Sequence, residues 1–376
     1  MQTAQVTHQP IIDTCIHHRW ASFGELWEYL GPSWRSYVGS GQSERLFPVF
    51  SYPNPAGDDL PTAAGPDGGL AGSDPAQLEA QVLGPNHVER ALLVHGVEAL
   101  MAPVISSPFL GRELARAIND WSVDRWLETD ERLHGAVLVA TQTPIDAAAE
   151  IRRIGTHPKM AAVIVMSLGT GKLLGHPLND PMFEAAEELG LPIIVHRGGD
   201  AIPDTPAAPA GGQPLSFAEY AAVAPLAVIN QVFHLITMGT LTRYPGTKIF
   251  IEGAGVSWMA GLVRRMDLTW KAMRKEVPWV TEPPSSYFER HFRVGTYGLE
   301  RHAGGEMAAR IAGLRPDFAD LVCYGSGYPA WDTVFPQAAA AMFPPNWRDR
   351  VLRDNAEQWF RWTPARTEPV MTAATT

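Results

Sequence analysis

The chain has 376 residues, 45% of them hydrophobic and 19% charged, a balance that excludes a disordered polymer and leaves ample apolar material for a core. A formal net charge of −10 with no Lys/Arg run argues against nucleic acid and anionic membrane surfaces as partners. Two cysteines are too few for a disulfide framework, the first residues lack a secretion signal, and no run reaches the ~18 apolar residues of a bilayer span, so a cytoplasmic protein is expected.

In chain order, the first apolar, β-branched run is 11–16. It is followed by a Pro/Gly-rich insertion, 43–75, too long for a standard connection, which reads as an extended loop and a candidate lid. Further runs at 91–94, 136–140, 162–166, 193–195 and 249–251 are separated by helical spacing over 111–127, 145–154, 182–189 and 217–241. A last helical pattern, 256–274, precedes the runs 292–294 and 321–324. Near-continuous apolar strands separated by helices indicate a parallel sheet covered on both faces, and eight of them indicate a closed (β/α)8 barrel. One domain over 1–362 and a polar, disordered tail over 363–376 are expected.

In such a barrel the chemistry sits at the C-terminal strand ends, so polar residues that terminate the apolar runs are the candidates. Strand one ends in Cys15, His17 and His18, strand two in His95, strand five in His196 and Arg197, strand six in Glu252, and strand eight in Ser326 and Tyr328. Alternation puts Cys15 and His17 on one face with Asp13 below them, while His18 points outward. A Cys-x-His pair facing inward is suited to a metal, yet a lone strand-end histidine is more often structural, and His95 is the weakest of the set. No dinucleotide or phosphate-loop glycine motif and no serine nucleophile elbow is present.

The segments IIDTCIHHRW, FEAAEELGLPIIVHRGG, TRYPGTKIFIEGAGVSWMAGLVRRMD, PPSSYFERHFRVGTYGLE and LVCYGSGYPAWDT resemble the amidohydrolase-related family typified by aminocarboxymuconate-semialdehyde decarboxylase, over nearly the whole chain. The resemblance implies a barrel that binds one divalent metal and decarboxylates, hydrates or hydrolyses small molecules. It also implies a family in which homodimers are frequent. Carried over by position, the metal ligands fall on Cys15, His17, His196 and Gly327, and the strand-eight motif histidine falls on Ala330. Glycine and alanine cannot ligate, so this is a divergent member with a partly dismantled metal site.

Three readings follow. The favoured one is a lyase without metal or other cofactor, in specialised metabolism, that decarboxylates, dehydrates or cyclises a small carboxylated or cyclic substrate. In it His17, His196 and Glu252 are catalytic, while Arg197, Tyr328 and His95 bind substrate, the Arg197 fork gripping a carboxylate. The alternatives are a zinc hydrolase or decarboxylase on Cys15, His17 and His196, and a non-catalytic binding relative.

Overall fold

The computed structural model describes residues 9–39, 59–65, 68–167, 172–198, 215–300 and 318–362. Eight parallel strands, β1 (Ile11–His18), β2 (Val88–His95), β3 (Leu133–Leu138), β4 (Met160–Met166), β5 (Ile193–His196), β6 (Ile249–Glu252), β7 (Phe292–Gly295) and β8 (Val322–Cys323), pair in sequence order. The seam between β8 and β1 is drawn together by Thr14, whose N–H (2.9 Å) and hydroxyl (2.8 Å) both donate to the Tyr324 carbonyl. Further along, the His17 N–H donates to the Tyr328 carbonyl at 2.7 Å. Strands such as MAAVIVM in β4 are buried at every position because both faces are covered.

Helices fill the outer layer: α1 (Pro108–Arg125), α2 (Pro144–Ile154), α3 (Asp180–Glu188), α4 (Pro225–Thr237) and α5 (Ser257–Met273). Proline at the first position and the Ser107 hydroxyl, which accepts from the Leu110 N–H, start α1 where the amides have no intrahelical partner. The single helix expected over 217–241 is three pieces, Phe217–Val223, α4 and Thr240–Arg243. Pro225 brings no amide to continue the first, and Gly239 at φ 70 turns the chain between the others. Among the described residues, one stretch, Phe217–Thr237, is long and apolar enough by length and composition alone to cross a bilayer. Val228, Val232, Leu235 and Ile236 on it are buried in the core, the placement of a helix that packs on a barrel.

The insertion after β1 is described in its C-terminal part, which lies on the catalytic face. Leu60 N–H donates to the Pro329 carbonyl at 2.8 Å and Arg19 N–H to the Gly72 carbonyl at 2.9 Å, and the Arg19 guanidinium pairs with the Asp59 carboxylate. Residues 43–58 and 66–67 of the insertion, and the tail 363–376, lie outside the described residues.

Away from the mouth, burial holds His95 and His134 at a pKa of about 4, against about 6.5 in an unfolded chain. Protons therefore bind the unfolded state first: the stability is complete above about pH 6.5 and is lost as the pH falls toward 4. At pH 5 each histidine withdraws about 2 kcal/mol. Urea denaturation should show a midpoint well below its pH 7.5 value at pH 5, and His95→Gln should flatten that dependence. An unchanged midpoint would refute the assignment.

Candidate metal centre

β1 is irregular where it matters. Its register against β2 shifts between Asp13 and Ile16, and the Asp13 carboxylate holds that bulge by accepting from the Cys15 N–H (3.1 Å) and the Ser326 N–H (2.9 Å). The shift leaves Cys15 and His17 both directed into the mouth, facing β5, whose last residue is His196. The donor atoms of Cys15, His17 and His196 all lie within 4.8 Å of one another, and all three residues are buried.

The imidazoles are oriented by backbone carbonyls. His17 Nδ1 lies 3.3 Å from the Gly327 carbonyl and His196 Nδ1 2.7 Å from the Arg197 carbonyl. A carbonyl only accepts, so each Nδ1 carries the proton and each Nε2 presents a lone pair. The two Nε2 atoms face each other at 3.1 Å, with Cys15 Sγ 3.9 Å from His17 Nε2. Two lone pairs at that separation repel unless a cation lies between them. Burial, together with the neighbouring imidazole and guanidinium charges, pushes His17 well below the usual histidine range, and burial pushes His196 down to about 4, so a proton is a poor candidate for that cation.

The residues therefore fit a metal. Two imidazole nitrogens 3.1 Å apart, a sulfur 3.9 Å from one of them, and all three donors within 4.8 Å of one another make a set that a single zinc ion could gather. Thiolate favours zinc over the harder manganese or magnesium.

Glu252 ends β6 beside His196 in the ladder and is wholly buried. Neither carboxyl oxygen meets a hydrogen-bond partner among the described residues. Burial, aided by the Asp13 charge, raises its pKa well above the usual range, and the Gly253 amide, which falls short of a hydrogen bond to it, opposes this as the smallest of the three effects. The carboxyl lies over the Cα of Gly295 in β7, where a Cβ would meet its oxygens at 2.3 Å. Arg197, the next residue after His196, holds its guanidinium 5.9 Å from the ring centroid of Tyr297.

Of the candidates that the strand-end rule selects, the structure thus brings Cys15, His17 and His196 together, with Glu252 and Arg197 adjoining. His95 and Tyr328 are not brought to this group. His95 pairs in register with His18 and faces outward with it, its Nε2 3.0 Å from the Ala136 carbonyl and its ring 4.7 Å from that of His18, which stacks on Trp121 of α1. Parallel neighbours in register point to one side of the sheet, so His18 and His95 leave the barrel together. The Tyr328 hydroxyl donates to Gln81 at 2.7 Å, in the segment before β2.

Tyr297 is a site residue absent from the candidates drawn from the sequence. It follows the end of β7 as the others end their strands, and applying the same strand-end rule to FRVGTYG finds it. Its ring lies 5.2 Å from that of His17 and 6.3 Å from that of His196.

Over residues 15–362 the chain matches the family model for amidohydrolases. Its fold is similar to that of 5-carboxyvanillate decarboxylase from Sphingomonas paucimobilis, 20% identical with a TM-score of 0.69 over 94% of this chain and 99% of that one. It is also similar to dihydroxybenzoic acid decarboxylase from Polaromonas with bound manganese and the inhibitor 2-nitroresorcinol, at 15% identity, TM-score 0.63, and 93% and 96% of the two chains. A third similar structure is 5-carboxyvanillate decarboxylase from Novosphingobium aromaticivorans complexed with manganese and 4-hydroxy-3-methoxy-5-nitrobenzoic acid (17%, 0.66, 95% and 97%). No curated protein sequence matches. The expectation of a cofactor-free pocket is corrected here: similar structures carry manganese, and three metal-ligating side chains converge in this chain despite glycine at 327 and alanine at 330.

Proposed function

From the premise that the chain belongs to the amidohydrolase family, we propose a metal-dependent lyase that decarboxylates a small aromatic carboxylic acid, with zinc held by Cys15, His17 and His196. The observation that carries this reading is the pair of Nε2 lone pairs facing each other at 3.1 Å beside a thiol. Decarboxylases of carboxylated phenols among the similar structures support the substrate class. When bound, the metal supplies a Lewis acid that binds and polarises oxygen atoms of the substrate.

The chain's own residues do the rest. Arg197, beside His196 and above the Tyr297 ring, offers a planar fork to a carboxylate. Loss of CO2 breaks the bond from carboxyl carbon to ring carbon and leaves the electron pair on the ring, which takes a proton in its place. Glu252 is the candidate donor of that proton, because burial favours the protonated form of its carboxyl. The two cysteines are buried free thiols, which suits a reducing compartment.

Elemental analysis of protein purified without chelator, with CO2 release measured on a panel of hydroxybenzoates and carboxyvanillates, tests the reading. About one zinc per chain and turnover on at least one phenolic acid are expected. A chain that takes up neither zinc nor manganese, or that loads zinc yet releases no CO2 from any of the panel, sinks it.

A further inference from the structure

Position 327 belongs to the centre by its backbone alone: its carbonyl accepts from His17 Nδ1, and its own N–H donates to the Cys15 carbonyl at 2.9 Å. Any side chain there would project into the space beside the two imidazoles. That space is filled. A Cβ on Gly327 would fall 2.0 Å from Cδ2 and 2.5 Å from Cε2 of Tyr297, and Gly327 itself sits at φ 73, where side chains are strained. The same ring stands 5.2 Å from the His17 ring and 5.9 Å from the Arg197 guanidinium, so a residue at 327 would have to displace it from both.

We infer that Tyr297 takes the side-chain space of position 327 and thereby denies the centre a donor from β8 beyond the three that converge among the described residues, Cys15, His17 and His196, making it selective for zinc over manganese. The selectivity rests on the metal reading above; the exclusion of a residue at 327 does not. A side chain on β8 able to bring a hard oxygen to the cluster would favour manganese. The ring of Tyr297 and such a side chain cannot be present together, so the aromatic residue is a determinant of which metal is used. Its hydroxyl is not required for this, which separates the role from acid or base chemistry.

The experiment is a double-variant cycle on the full chain with Gly327→Asp and Tyr297→Ala, with Tyr297→Phe as a control. Melting temperature reads the seat, and competition with a chromophoric chelator for zinc and for manganese reads the selectivity. Gly327→Asp alone should melt several degrees below wild type, and the double variant should recover most of that loss relative to the sum of the single changes. The zinc-to-manganese preference should fall at least about tenfold in the double variant, while Tyr297→Phe keeps the wild-type value. Additive melting losses would overturn the seat, and recovery with unchanged preference would overturn the selectivity. Wild-type protein that binds neither metal overturns the metal reading and the selectivity with it, whereas the melting cycle still decides whether Tyr297 occupies the space.

Discussion

Replacing His196 with alanine is expected to strip the protein of metal and lower decarboxylation by at least about a thousandfold, with the chain still folded. The imidazole is one of only three converging donors among the described residues, so its loss leaves a thiol and one nitrogen, too few to hold zinc at a catalytic site. His17→Ala should act the same way. His95→Ala is the informative contrast, since it removes the same side chain from an equally buried strand end. His95 leans on His18 outside the barrel, so its loss should reduce stability through the cavity it leaves while turnover of the metal-loaded protein stays within about twofold. Metal content, melting temperature and initial rate measured on the three variants separate these outcomes. Metal retained in His196→Ala, or turnover lost in His95→Ala, would contradict the placement.

That contrast also shows what the sequence can and cannot say. Strand identity is legible because burial on both faces forces continuous apolar runs, and all eight recur in the structure with ends displaced by a few residues. Alternation alone separates His17 from His18, since adjacent residues on a strand take opposite faces. It cannot place His95, whose facing depends on its register with His18 across two strands. The fate of strand eight is half visible: Gly327 and Ala330 announce lost donors, but only the packing reveals that the volume is filled, by a residue on the neighbouring strand end. The absence of a carboxylate at 327 points toward chemistry without metal. The facing lone pairs point the other way, and they depend on the carbonyls of Gly327 and Arg197, which no pattern of residue types encodes. Alternation sets Asp13 below the Cys15 and His17 pair, yet its work is to pin the β1 bulge to β8 through two amides. A bulge is a backbone event, and it leaves no mark in an alternating apolar pattern.

Glu252→Leu should melt above wild type while losing turnover by about a hundredfold to ten-thousandfold. The stability half of this follows from burial without partners. A carboxyl group with both oxygens unsatisfied costs roughly 1–3 kcal/mol relative to an apolar group of similar shape, even when it is neutral. Leucine fills much the same volume over the Gly295 Cα and needs no hydrogen bond. The activity half follows from the proton. Leucine carries none, and Glu252→Gln, which retains shape and neutrality, should lose turnover to a similar degree without the gain in melting temperature. Comparing the two variants therefore separates the acid from its volume. Unaltered turnover in Glu252→Gln would remove Glu252 from the chemistry, and a lower melting point in Glu252→Leu would mean that the carboxyl has a stabilising partner. A folded chain tolerates such a group where activity depends on it, and a gain in stability bought by losing the acid would locate that trade-off in one side chain.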